Sequence, residues 1–92
     1  MNYIKVKWNH SHPGEPIWLY SEIDDDRRET RKVEVFADGR RRYASRTESE
    51  GGTRLGEAPI PQLIEISYDP QFQPAAIAKE EFEAVWAERN LR

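Results

Sequence analysis

Polar and apolar residues alternate through Tyr3-Ile4-Lys5-Val6-Lys7-Trp8, placing Ile4, Val6 and Trp8 on one side and the two lysines on the other. That period of two predicts a half-buried strand. Ile17-Trp18-Leu19-Tyr20-Ser21-Glu22-Ile23 predicts a second strand, an antiparallel neighbour of the first, with large groups on both sides. Ile17, Leu19 and Ile23 share one face, and Trp18 and Tyr20 share the other. Between the two strands, Asn9 to Pro16 holds two prolines and a glycine and reads as a loop. Asp24 to Thr30 follows as a polar connection. Lys32 to Ala37 and Arg41 to Ser45 are a third and a fourth strand, joined at Asp38-Gly39, a strong hairpin signal because Gly adopts positive φ without strain.

Beyond Ser45 the alternation stops. Arg46 to Gly56 is aperiodic, holds three glycines and predicts a mobile loop docked by Leu55, and Ala58 to Pro61 is stiffened by proline. Gln62 to Ile66 suits a short helix or an added strand, and propensity does not decide between them. Tyr68 to Pro74 turns again. Lys79 to Arg89 has helical spacing, with Phe82, Val85, Trp86 and Arg89 in one stripe and glutamates in the first turn, where the helix dipole favours them. Ala78 offers no side-chain cap to that helix. The expected fold class is α+β: a four-stranded antiparallel sheet with the C-terminal helix packed on one face, a single domain over 1–92.

Ninety-two residues are near the lower end of what folds unaided, and the chain has no cysteine to staple it. Three Trp, four Tyr and three Phe must supply much of the core. Charged residues make up 34% of the chain and the formal net charge is −3, a balance unlike the basic surface of a general nucleic-acid binder. No apolar run approaches the roughly 20 residues of a membrane span. Nor does the N-terminus resemble a signal peptide, so the expected location is cytoplasmic.

Chemistry-bearing patterns are sparse. His10, His12 and Glu15 provide two imidazoles and a carboxylate, short of any usual zinc pattern, so no metal is expected. No strained Gly-x-Ser-x-Gly elbow supports a nucleophilic triad. The run Asp24-Asp25-Asp26 reads as hydrated rather than catalytic. Gly51 to Glu57 lacks the Gly-Lys-Ser/Thr ending of a phosphate loop. The chain is therefore expected to be neither an enzyme nor a cofactor carrier. Arg40, Arg41, Arg42 and Arg46 form the one concentrated basic feature and are the candidate contacts for nucleic acid, although alternation sends Arg40 and Arg42 to the face opposite Arg41. The stronger candidate is an aromatic anchor rimmed by charge, made of Trp18 and Tyr20 with Asp24, Asp25, Asp26 and Arg27. Such a face suits a protein partner or a homodimer.

The segments Tyr3 to Trp8, Glu15 to Glu22, Arg31 to Gly39, Gly51 to Glu57 and Lys79 to Trp86 together resemble a family of small bacterial proteins of about ninety residues. Such proteins are similar to the cognate immunity proteins encoded beside polymorphic, Rhs-type toxins. The resemblance implies an antitoxin that binds its toxin and occludes the active site, with an ADP-ribosyltransferase as a plausible target. Asp24 to Asp26 would then answer basic residues around the toxin's substrate cleft.

Overall fold

The structure, a computed structural model, describes residues 1–90, with the backbone alone at Glu50. Its elements are β1 (Asn2–Trp8), β2 (Trp18–Ile23), β3 (Glu29–Val35), β4 (Arg41–Ser45), β5 (Ser49–Glu50), α1 (Leu63–Ile66), β6 (Phe72–Ala76) and α2 (Lys79–Ala87). The strands form one sheet in the order β5-β4-β3-β2-β1-β6, antiparallel at every pairing. The α+β class and the helix on one face agree with expectation. The strand count does not: β5 is a two-residue stub, and β6 is a fifth strand of full length. Pro74 disguises β6 in the sequence. Proline cannot donate to a ladder and is tolerated on an edge strand, which is where β6 lies, paired to β1 alone.

The turns β2–β3 and β3–β4 share one design. Asp24 N–H donates to Arg28 O (2.9 Å) and Arg27 N–H to Asp24 O (3.0 Å); Phe36 N–H donates to Arg40 O (2.9 Å) and Gly39 N–H to Phe36 O (3.0 Å). The position before the closing residue is left-handed in both, filled by Gly39 (φ 89°) in one and by Arg27 (φ 64°) in the other. β3 begins at Glu29, inside the stretch expected to be a connection, because a bulge falls there. Glu22 pairs with Arg31 and Ile23 with Glu29, leaving Thr30 as the extra residue.

The two faces of the sheet are covered by different segments. On one face Ile4, Val6 and Ile23 form a buried cluster, covered by Ile60, Leu63, Ile66 and Phe72. Leu19 packs against the same cluster, as its alternation requires. Gln62 to Ile66 thus resolves as helix, with Leu63 and Ile66 turned inward and Ile64 left 64% exposed. On the other face lies α2. Phe82 is fully buried against Tyr3 (ring centroids 5.4 Å) and stacks with Trp86, which meets Tyr43 edge-on at 5.7 Å.

Arg31 ties α2 to the sheet. Its guanidinium lies over Phe82 and Trp86 (4.9 and 5.1 Å to the centroids) and bonds the carboxylates of Glu22 on β2 and Glu83 on α2. The bulge places Thr30 Oγ1 on Glu22 as well, at 2.7 Å. These bonds, the one from Arg31 foremost, hold the Glu22 carboxyl down at about 2 against its burial.

Candidate functional site

Strand register decides what surrounds Trp18 and Tyr20. β1 runs antiparallel to β2 with Lys7 opposite Trp18 and Lys5 opposite Tyr20. The lysines, turned away from the Ile4–Val6 side by alternation, fall on the face that carries the two aromatic rings. Lys5 Nζ stands 5.5 Å and Lys7 Nζ 6.0 Å from the Trp18 ring centroid, and Tyr20 lies 6.2 Å from Trp18, centroid to centroid. Ammonium groups at these distances are attracted by the negative face of the indole.

This row marks the limit of α2. The helix contacts Lys5 through Glu81 (3.0 Å), Tyr3 through Phe82 and Tyr43 through Trp86. Lys7, Trp18 and Val35 stand in the next row, with Arg41 beyond them on β4. Trp18, Tyr20 and Val35 are half-buried and Lys7 is exposed. The bond to Glu81 raises the Lys5 pKa, keeping it cationic, and burial raises that of the Tyr20 phenol, keeping it neutral. The result is a shelf of two aromatic rings edged by cations on a net acidic chain.

The acidic part of the expected site lies elsewhere. Asp24, Asp25 and Asp26 occupy the β2–β3 turn, at the opposite end of β2 from Trp18, about 20 Å away at the usual strand rise. Asp24 is committed to the turn, its Oδ1 accepting the N–H groups of Asp26 and Arg28, both at 2.9 Å. Arg27 reaches across to the Pro-rich segment, donating from Nε to Ile60 O (3.0 Å) and from Nη2 to Pro61 O (2.6 Å). Trp18 and Tyr20 are together as expected; the aspartates and Arg27 do not join them. The sequence neighbours of Trp18 suggested acid, whereas its neighbours in space are lysines. Lys5 and Lys7 were missed in the sequence; the alternation of β1, combined with an antiparallel partner, is the signal that would have found them.

The arginines expected to contact nucleic acid separate by face as alternation requires, and three have partners within the chain. Arg40 pairs with Asp38 (2.8 Å) and Arg42 with Glu34 (2.7 Å), and their guanidiniums lie over the Phe36 ring at 4.9 and 5.0 Å. Arg41 donates to Glu88 O at the end of α2 (3.3 Å). Arg46 is exposed. His10 likewise serves its own loop: Nδ1 accepts His12 N–H at 2.9 Å, leaving Nε2 to donate to Pro16 O at 2.8 Å. Both ring nitrogens are occupied, which removes His10 from a metal-ligand role in this geometry.

Among the described residues, no helix is long and apolar enough to cross a membrane. No curated protein and no solved structure matched the chain. The chain belongs to the family described as a domain of unknown function (DUF6881), whose model matches residues 2–91.

Proposed function

We propose that this protein is a non-enzymatic immunity protein of the kind that accompanies polymorphic toxins, and that it docks through the Trp18–Tyr20 shelf. The observation that carries the docking site is the pair of lysines against the Trp18 ring. A half-buried aromatic anchor with cations at its border is well suited to a partner surface that carries carboxylates. The contact differs from the one expected of the sequence, since its charge is positive and Asp24 to Asp26 lie outside it. Occlusion of a toxin cleft, including that of an ADP-ribosyltransferase, then means covering acidic groups at the cleft mouth chiefly with Lys7, since Lys5 is already paired with Glu81. The resemblance read in the sequence is the ground for choosing a toxin as partner, and the Trp18–Tyr20 shelf is the ground for choosing this face.

The test is co-expression with the toxin domain encoded next to it, followed by binding and protection measurements. Trp18→Ala is expected to weaken the complex by about 30-fold or more, as loss of a central aromatic anchor does. Lys5→Ala with Lys7→Ala is expected to slow association and reduce its dependence on salt. Full protection by folded Trp18→Ala would remove the shelf from the interface. A role in nucleic-acid binding through Arg40, Arg41, Arg42 and Arg46 has weaker support, because three of the four already have partners within the chain; it predicts affinity that falls steeply with salt.

A further inference from the structure

At the end of the sheet where β1 begins, three segments meet without closing on one another. The chain leaves β6 and turns into α2, tied to β1 by Ile77 N–H on Tyr3 O (2.9 Å). Arg27 of the β2–β3 turn reaches across to Ile60 O and Pro61 O, just ahead of α1. Between these ties lies a cavity of about 660 Å3, open to solvent. Its apolar wall includes Ile4, Leu63 and Ile77, and its border carries Arg27 and Lys79, the first residue of α2. That size falls within the roughly 300–1,000 Å3 of small-molecule sites, which combine apolar walls with a few polar groups. The cavity is at the other end of β1 from Lys7 and Trp18.

Two cationic side chains line this cavity and no carboxylate does. Among the described residues, neither Arg27 nor Lys79 has a carboxylate oxygen within 4.0 Å. Arg27 uses two of its five donors on the carbonyls of Ile60 and Pro61, which are neutral and leave its charge unanswered. Glu83, one turn along α2 from Lys79, has both oxygens bonded to Arg31, each at 2.9 Å. Glu81 is paired with Lys5, and neither it, Glu80 nor any of Asp24 to Asp26 lines the cavity. Two unanswered cations suit a dianion, and a phosphate monoester carries about −1.5 to −2 at neutral pH. Guanidinium and ammonium groups are the usual holders of phosphate. We infer that the cavity binds a small organic phosphate monoester, its phosphate drawn to Arg27 and Lys79 and its carbon skeleton set on Ile4, Leu63 and Ile77. The site is separate from the shelf and does not depend on the immunity role.

Phenyl phosphate is a suitable probe, titrated into the full chain and followed by amide shifts in two-dimensional NMR. Saturable shifts centred on Ile4, Leu63 and Lys79 are expected in the millimolar range, the affinity open to so few atoms. Inorganic phosphate, which lacks the ring, and benzyl alcohol, which lacks the charge, are each expected to bind about fivefold more weakly. Lys79→Gln, at an exposed position, is expected to weaken phenyl phosphate about threefold to fivefold. Lys7→Gln, at the far end of β1, should leave it unchanged. If Lys79→Gln does not fold, the comparison of the three ligands on the unaltered protein decides. Benzyl alcohol or inorganic phosphate binding as tightly as the ester would overturn the assignment. So would unchanged binding by folded Lys79→Gln, an equal loss in Lys7→Gln, or no saturable shift at tens of millimolar.

Discussion

Arg27 holds a backbone conformation that side chains ordinarily avoid, at φ 64°, in the turn position that Gly39 fills in the neighbouring hairpin. A left-handed residue with a Cβ costs roughly 1–2 kcal/mol. What offsets that cost is visible: the guanidinium donates to Ile60 O and Pro61 O, and the Arg27 carbonyl accepts Ile60 N–H. One strained residue thereby fastens the segment that covers the Ile4–Val6–Ile23 cluster. Two substitutions separate strain from fastening. Arg27→Ala keeps the strain and loses both side-chain bonds; Arg27→Gly loses the same bonds and relieves the strain. The glycine variant is therefore expected to be the more stable of the two by about 1 kcal/mol in urea unfolding. An alanine variant equal to or more stable than the glycine variant would show that the left-handed conformation carries no cost there.

At the scale of elements, α2 is held by its packing more than by its ends. Ala78 stands at the N-cap with extended backbone (φ −75°, ψ 154°) and no side-chain bond to the first turn. Ala78→Ser supplies the missing acceptor at an exposed position whose backbone already suits it. A gain of about 0.5–1 kcal/mol is expected, seen as a rise of several degrees in the thermal midpoint. An unchanged midpoint would mean that the first turn is already satisfied by other means.

The same scale separates what the sequence made legible from what it hid. β1 was clear because its alternation is unbroken, β2 because its apolar run is bounded by Pro16 and Asp24, and β4 because Asp38-Gly39 marks its hairpin. β4 matches from Arg41 to Ser45. β6 was hidden by Pro74, which argues against a strand everywhere except at an edge, and no local rule announces which strand will be the edge. β3 began early because a bulge at Thr30 depends on pairing with Glu22, a fact of register rather than composition. The site divided along the same line. Trp18 and Tyr20 were legible as neighbours two apart on one strand, whereas Lys5 and Lys7 reach them only through the pairing of two strands. Asp24 to Asp26 appeared close because they are near in sequence, but a strand carries its end away at about 3.3 Å per residue.

Over the whole molecule, the joint between sheet and helix is electrostatic as well as apolar, which makes stability depend on acid. Glu22 is held at about 2 in the folded state against an ordinary value of 4.5, chiefly by Arg31. The depressed value means that the folded chain releases this proton more readily than the unfolded one. Its contribution, up to about 3 kcal/mol, is fully present above pH 4.5 and disappears as the pH falls toward 2. Glu83, lowered by the same guanidinium, acts in the same direction. Urea unfolding at stepped pH is expected to show stability falling steeply below pH 5, with a shallower fall in Glu22→Gln. Equal acid slopes in the two proteins would place the sensitivity in other groups.

The last strand of the sheet lies beside the first. While the polypeptide is being synthesised, β1 can pair with β2 early, but its outer margin stays bare until Phe72–Ala76 has left the ribosome. Until then the nascent sheet ends in a flank that invites pairing with other chains. Lys5 and Lys7 sit on that flank throughout. Two such lysines on each of two unfinished copies would repel one another across that margin.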